Sequence, residues 1–256
     1  MYNPDFMVKL IYAFVSSQPQ YFAQQYFDRI IRKWRRGEVS RLQLNTMLAI
    51  GASYLKIVCE TDAAPESPPD PQLTSFLESI REQYLKKCVT HSFEDMADPT
   101  IETPLNLKEL GHAFHITSHG QDGPYHYHGL SVRYAVELGF HCVDLPLCER
   151  ATRPPLVQDQ CQRSWTDRDP LRIEFIRRGF WTLAFMDGYV SALTSMHSMV
   201  DEDDIHVEGI DDRVLQRLFD LDPDKDTYPL FIPGISGHLM GGYSIMLPFF
   251  RCIYRI

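Results

Sequence analysis

Apolar residues recur along this chain with the period of an α-helix from its first turn. Asn3-Pro4 reads as a cap followed by a first-turn proline, after which Phe6, Met7, Leu10, Ile11 and Phe14 fall on one stripe. Phe22, Tyr26, Phe27, Ile30, Ile31 and Trp34 repeat the spacing until Gly37 stops it. Ser40 then caps a third helix with Leu44, Met47, Leu48, Gly51, Tyr54, Leu55 and Val58 inward. The stretch 61–72 holds Pro65, Pro68, Pro69 and Pro71 among acids and small residues, which predicts a surface linker. Beyond it Leu73, Phe76, Leu77, Ile80, Tyr84, Leu85 and Cys88 restore the period, and Asn106 with Glu109 three residues on has the form of a capping box.

From Pro124 the positions Tyr127, Leu130, Tyr134, Ala135 and Leu138 form another stripe, closed by Gly139, with Arg133 and Glu137 placed to pair at i,i+4. An irregular stretch with three prolines runs from Leu145 to Asp169. The longest helical pattern follows, from Pro170 to about Met196, through Phe175, Ile176, Phe180, Trp181, Leu183, Met186, Tyr189, Val190 and Leu193. These residues cover most of the circumference, which predicts a central, buried helix. Alternating strand patterns are scarce. The expectation is an all-α fold, a single multi-helix domain of about eight or nine helices spanning 1–256. The apolar end, Ser244 to Ile256, reads as a helix that docks on the body or has been cut.

Composition narrows the function classes. Thirty-four acidic against twenty-five basic residues give a net charge of −9, so non-specific attraction to phosphate is not the business of the whole chain. The six cysteines (Cys59, Cys88, Cys142, Cys148, Cys161, Cys252) include no C-x-x-C pair and read as reduced, mostly buried thiols. The N-terminus does not resemble a secretory leader, and no segment approaches the roughly 20 apolar residues of a membrane helix. The expectation is a soluble intracellular protein with no membrane partner.

Several residues could carry chemistry. His112, His115 and His119 fall at i, i+3 and i+7 on one helix face, and imidazole is a common zinc ligand. There is no H-E-x-x-H and no acid on that face, so structural histidines outweigh a metal site, and no cofactor is expected. Asp201-Glu202-Asp203-Asp204 lacks the spacing and glycine of a calcium loop and reads as solvated. Pro233-Gly-Ile-Ser-Gly-His238 lacks the last glycine of a nucleophile elbow. Arg29, Arg32, Lys33, Arg35, Arg36 and Arg41, interleaved with Trp34, form the one local patch for nucleic acid or a partner; cations that complement a helix C-terminus are its simpler reading.

Three stretches carry a family resemblance. Tyr127 to His141 contains Gly129, Ser131, Arg133, Ala135, Leu138, Gly139, Phe140 and His141; Arg177, Arg178, Trp181 and Asp187 follow, and then Asp204-Ile-His-Val207. In order and separation they resemble the regulatory "middle homology" domain of fungal-specific transcription factors. Phe22, Phe27, Gly37-Glu-Val-Ser40 and Leu44 to Ala52 resemble its opening segments, so the likeness spans nearly the whole chain, most specifically 123–207. Two departures stand out: Asp187 is followed by Gly188 where the family has arginine, and Thr194 to Ser198 replaces a Gly-Arg-Pro turn. The six-cysteine zinc cluster that usually precedes this domain does not occur.

The resemblance implies a non-enzymatic, nuclear, transcription-regulator-like protein that acts through co-regulators, a separate DNA-binding factor or a bound small-molecule effector, without direct DNA binding of its own. It implies structural roles for Gly129, Leu138, Gly139, His141 and Trp181. Arg133, Arg177, Arg178 and Asp187 would form an internal charge network. The alternatives are a metal- or small-molecule-dependent enzyme using the histidine cluster, and a truncated remnant of a longer factor.

Overall fold

The computed structural model describes residues 3–17, 23–61, 70–116, 122–144, 170–194, 197–200 and 205–210. Among them lie seven α-helices: α1 (Pro4–Ser17), α2 (Ala23–Arg36), α3 (Arg41–Thr61), α4 (Pro71–Ala97), α5 (Thr103–Ile116), α6 (Asp122–Glu137) and α7 (Pro170–Thr194). A single 3-10 turn covers Phe140–Cys142, and no strand occurs among the described residues. The all-α class is as the periodicity predicts; the described residues hold seven helices where the pattern predicts eight or nine over the chain.

Most caps fall where the sequence places them. Asn3 Oδ1 accepts the Asp5 N–H at 2.9 Å, and Ser40 Oγ accepts the Gln43 N–H at 3.1 Å. α2 ends in a Schellman turn: Gly37 takes φ 73°, its N–H reaches the Trp34 carbonyl, and the Glu38 N–H reaches that of Lys33. Of the proline-rich linker, 62–69 lie outside the described residues. Its end is helical, because Asp70 caps α4 and Pro71 fills the first-turn position.

The predicted cap at Asn106 is corrected. α5 begins a turn earlier: Thr100 Oγ1 accepts the Glu102 N–H at 3.2 Å, while Thr103 Oγ1 accepts the Thr100 N–H at 2.9 Å. The Thr103 N–H takes the Thr100 carbonyl, leaving Pro104 with no bond to donate there. Asn106 and Glu109 are instead buried inside the helix.

The described residues belong to two compact units. The first comprises Met1–Asp98 and Glu109–Pro124, the second Pro99–Lys108 and Tyr125–Ile256. In the first, α3 packs on α1 and α4, and from Leu42 to Ser53 every residue except Leu44 is buried. α3 is therefore the central helix of that unit. By composition it is also long and apolar enough to cross a membrane, nearer to a span than the sequence pattern implies, yet more than half of its apolar window is buried in the fold. A β-carbon on Gly51 would run into the Leu10 carbonyl, so only glycine allows α1 this close. Thr46 Oγ1 lies 3.5 Å from Cys88 Sγ, and burial pushes that thiol up to about 12, leaving it protonated and unreactive. Leu73 and Phe76, expected inward, are exposed at the start of α4, where Phe76 meets the Phe6 ring at 5.6 Å.

In the second unit the buried side of α6 is His128, Ser131, Val132 and Ala135, with Leu138 buried just past its end; Tyr127, Leu130 and Tyr134 of the predicted stripe are half-buried. The stripe is turned because two polar residues face inward, and Ser131 Oγ donates to the Pro104 carbonyl at 2.7 Å. Phe175, Ile176, Phe180 and Leu183 of α7 are buried as predicted, and so are Glu174, Arg178, Asp187 and Ser191. The Phe140 ring seats against Gly179, where a β-carbon would come to 3.3 Å.

Candidate functional site

α7 turns polar side chains into the second unit at three levels; the first and third hold other segments of the chain, and the second pairs two side chains of α7 itself. Near its start, Arg177 grips Asp144 through two nitrogens, Nε at 3.0 Å from Oδ2 and Nη2 at 2.5 Å from Oδ1. The same Nη2 reaches Glu208 Oε2 at 2.6 Å. Asp144 Oδ2 accepts the Glu208 N–H at 2.7 Å, and Trp181 Nε1 donates to the Glu208 carbonyl at 3.0 Å. Backbone bonds complete the seam, from the His206 N–H to the His141 carbonyl and from the Asp144 N–H to the His206 carbonyl. Burial works against the Arg177 charge, but the Asp144 hydrogen bonds and the charges of Asp144, Glu208 and Glu174 more than reverse it. Its pKa is raised above the ordinary guanidinium value.

The second level is an ion pair removed from water. Arg178 is fully buried, Glu174 is 2 % exposed, and Nε lies 2.7 Å from Oε1 one helical turn away. Arg177 Nη1 stands 3.9 Å from the other Glu174 oxygen, so the first two levels share one carboxylate.

At the third level the buried Asp187 carboxylate holds segment 197–200. Its Oδ2 accepts from Ser198 Oγ at 2.5 Å, the Met199 N–H at 2.7 Å and the Val200 N–H at 3.2 Å. The Met199 side chain lies over Gly129, where a β-carbon would stand 3.5 Å from its methyl carbon. On the other side, His128 Nε2 is buried, makes no hydrogen bond and stands 4.0 Å from Asp187 Oδ1.

Desolvation lowers the His128 pKa below the ordinary imidazole value of 6.5; the Asp187 charge opposes the shift and Lys108 adds to it. As pH falls below about 6.5 the unfolded chain therefore takes up a proton that the folded chain refuses, and stability declines until the lower folded pKa is passed. Urea unfolding at about pH 7.5 and about pH 5.5 checks this. The loss on acidification is expected to be smaller in His128→Gln than in the parent chain; an equal loss would mean that His128 does not titrate this way.

The four residues expected to form one charge network are thus divided. Arg177 and Arg178 share Glu174, and Asp187 stands apart with His128. Arg133 is exposed, in an i,i+4 pair with Glu137 at 3.0 Å, so its expected place in an internal network is corrected. Gly129 receives Met199; Gly139 takes φ 78° to end α6, beside buried Leu138, Phe140 and His141; Trp181 is half-buried. Asp144, Glu174 and Glu208 carry no mark in the sequence reading, while His128 figures there only as one of the clustered histidines and Ser198 only as the end of the stretch that replaces the Gly-Arg-Pro turn. Only Glu174 had a local signal, its i,i+4 spacing to Arg178.

His112 is half-buried and His115 exposed on α5, while His119 lies outside the described residues. Among the described residues no three His, Cys, Asp or Glu side chains gather as a metal site. Arg32, Arg35, Arg36 and Arg41 are exposed, and Arg29, Lys33 and Trp34 are half-buried. Phe22, Cys148, Cys161, Cys252, Asp201 to Asp204, Pro233 to His238 and Ser244 to Ile256 lie outside the described residues.

Fold and site together define an all-α protein whose second unit is braced from α7 by Arg177 on Asp144 and by the buried Asp187 on 198–200. Compared with known families, curated proteins and solved structures, the chain matches none of them.

Proposed function

We propose that this chain is the helical regulatory body of a fungal-type transcription regulator, a single domain of eight or nine helices that acts in the nucleus without catalysis. It works through co-regulators, through a separate DNA-binding factor, or through an effector seated among its helices. One observation carries the reading. The three stretches on which the resemblance rests meet within one unit: the His206 N–H reaches the His141 carbonyl, Asp187 stands 4.0 Å from His128, and Arg177 and Trp181 bond Asp144 and Glu208, just beyond the other two stretches. Residues spaced far apart in sequence thus serve one interlocked framework, as a shared domain requires.

The mechanism follows from population shift. An effector or partner that binds one arrangement of the α7 braces better than another changes which surface is offered, by as much as its affinities for the two differ. Regulation of this kind needs framework residues and no nucleophile.

A fluorescent fusion of the chain in a fungal host tests the setting, and a pull-down from nuclear extract tests the partners. Nuclear enrichment and a reproducible set of co-purifying transcription proteins are expected. If exposed Arg32, Arg35 and Arg36 form the partner surface, their triple replacement by glutamate depletes that set. A fusion excluded from the nucleus would overturn the proposal.

A further inference from the structure

Ser198 occupies an unusual position for an exposed serine. Its hydroxyl donates to a carboxylate that is 3 % exposed, and that same Asp187 oxygen holds the next two backbone N–H groups. The hydroxyl also lies 3.2 Å from the Val200 carbonyl. The three donors form a latch that fixes 198–200 on α7 and sets Met199 over Gly129, next to the buried His128. In sequence, Ser198 is followed at +3 to +6 by Asp201, Glu202, Asp203 and Asp204. A serine leading into four consecutive acids matches the charge pattern that a kinase with a basic peptide groove selects.

We propose that Ser198 is a phosphorylation site for an acidophilic serine/threonine kinase, and that its modification releases the 198–200 latch from Asp187. In the reaction Ser198 Oγ gives up its proton to the kinase's catalytic base and forms a bond to the γ-phosphorus of ATP. The bond from that phosphorus to the β–γ bridging oxygen breaks, and ADP leaves. The product has lost the O–H that bonded Asp187 and carries close to two negative charges where that hydroxyl had met a carboxylate. Like charges at such separation, beside a buried acid, repel strongly. The Met199 and Val200 N–H groups lose their acceptor as the segment leaves, and Met199 lifts from Gly129. Because the kinase needs the hydroxyl free, phosphorylation draws on the open form and then holds it open. This inference stands apart from the regulatory reading, since it rests on the latch geometry and the sequence after it.

The test uses the full chain, its Ser198→Ala variant and a peptide of residues 194–206, each incubated with an acidophilic kinase and magnesium ATP. Mass spectrometry is expected to find phosphate on Ser198 of the chain and on the peptide, and none at position 198 of the variant. In the phosphorylated chain the Met199 and Val200 amides should exchange with solvent about tenfold faster or more. Ser198→Ala, which keeps both backbone bonds, should exchange at a rate closer to the parent. Phosphate on the peptide but not on Ser198 of the folded chain would overturn the proposal, and so would no phosphate on either. A phosphorylated chain whose two amides exchange as before, or no faster than in Ser198→Ala, would overturn the release.

Discussion

Arg178→Met is expected to lower stability by about 3–5 kcal/mol, one of the two largest effects foreseen for a single change in this chain. The arginine is fully buried and its Nε–H donates to a glutamate that is itself almost wholly out of water. Methionine fills much of the same volume but leaves the buried Glu174 carboxyl without its main counter-charge, and the uncompensated burial of that group accounts for most of the loss. Removing both charges tests this cause. Glu174→Gln combined with Arg178→Met should recover much of the stability, because a buried pair and an apolar or neutral replacement of it differ little. Urea unfolding at neutral pH measures both; a single variant within about 1 kcal/mol of the parent would show that the pair does not brace α7.

Gly51→Ala is the second. In an unconstrained helix alanine is favoured over glycine by about 1 kcal/mol, so the intrinsic effect would be a gain. Here a loss of about 3 kcal/mol is expected, because the added carbon meets the Leu10 backbone carbonyl, which no side-chain rotation can clear. α1 must retreat from α3, opening contacts around Leu10, Ile11 and Phe14. Gly129→Ala in α6 is the control, since its β-carbon meets only the flexible Met199 side chain at ordinary contact distance. It should be neutral or slightly stabilising in the same thermal melt. If both alanines stabilise, the close crossing of α1 and α3 is wrong.

Local signals in the sequence carry the fold a long way. Asn3, Ser40, Gly37 and Gly139 cap or stop their helices where their chemistry demands it, because a cap is decided within four or five residues. The α5 start is less legible, since Pro104 sits in the first turn, where the N–H that proline lacks would have no intrahelical acceptor. The buried face of α6 was misjudged for a different reason. Periodicity ranks Tyr127 and Leu130 above His128 and Ser131, yet Ser131 finds the Pro104 carbonyl, and such a partner is invisible until the chain is folded.

The site was legible at its arginines and largely silent elsewhere. Arg177 and Arg178 drew notice as a motif, but Asp144 and Glu208 lie 33 and 31 residues from Arg177, and no local rule links them to it. Asp187 enters the sequence reading only through the family resemblance; that it holds a backbone segment follows only from where 198–200 runs. The arginine placed on an outward turn of α6 could not join the network, which is why Arg133 pairs with Glu137 at the surface instead.

The central claim, a regulatory body that works without a DNA-binding head, is tested most directly by tethering. The whole chain is fused to a heterologous DNA-binding domain and directed to a reporter promoter in a fungal host. Reporter output should change several-fold in one direction relative to the binding domain alone, and Arg178→Met, which unpairs the buried Glu174 of α7, should abolish the change. A fusion that is intact, nuclear and bound at the promoter, yet leaves output at the level of the binding domain alone, would contradict it.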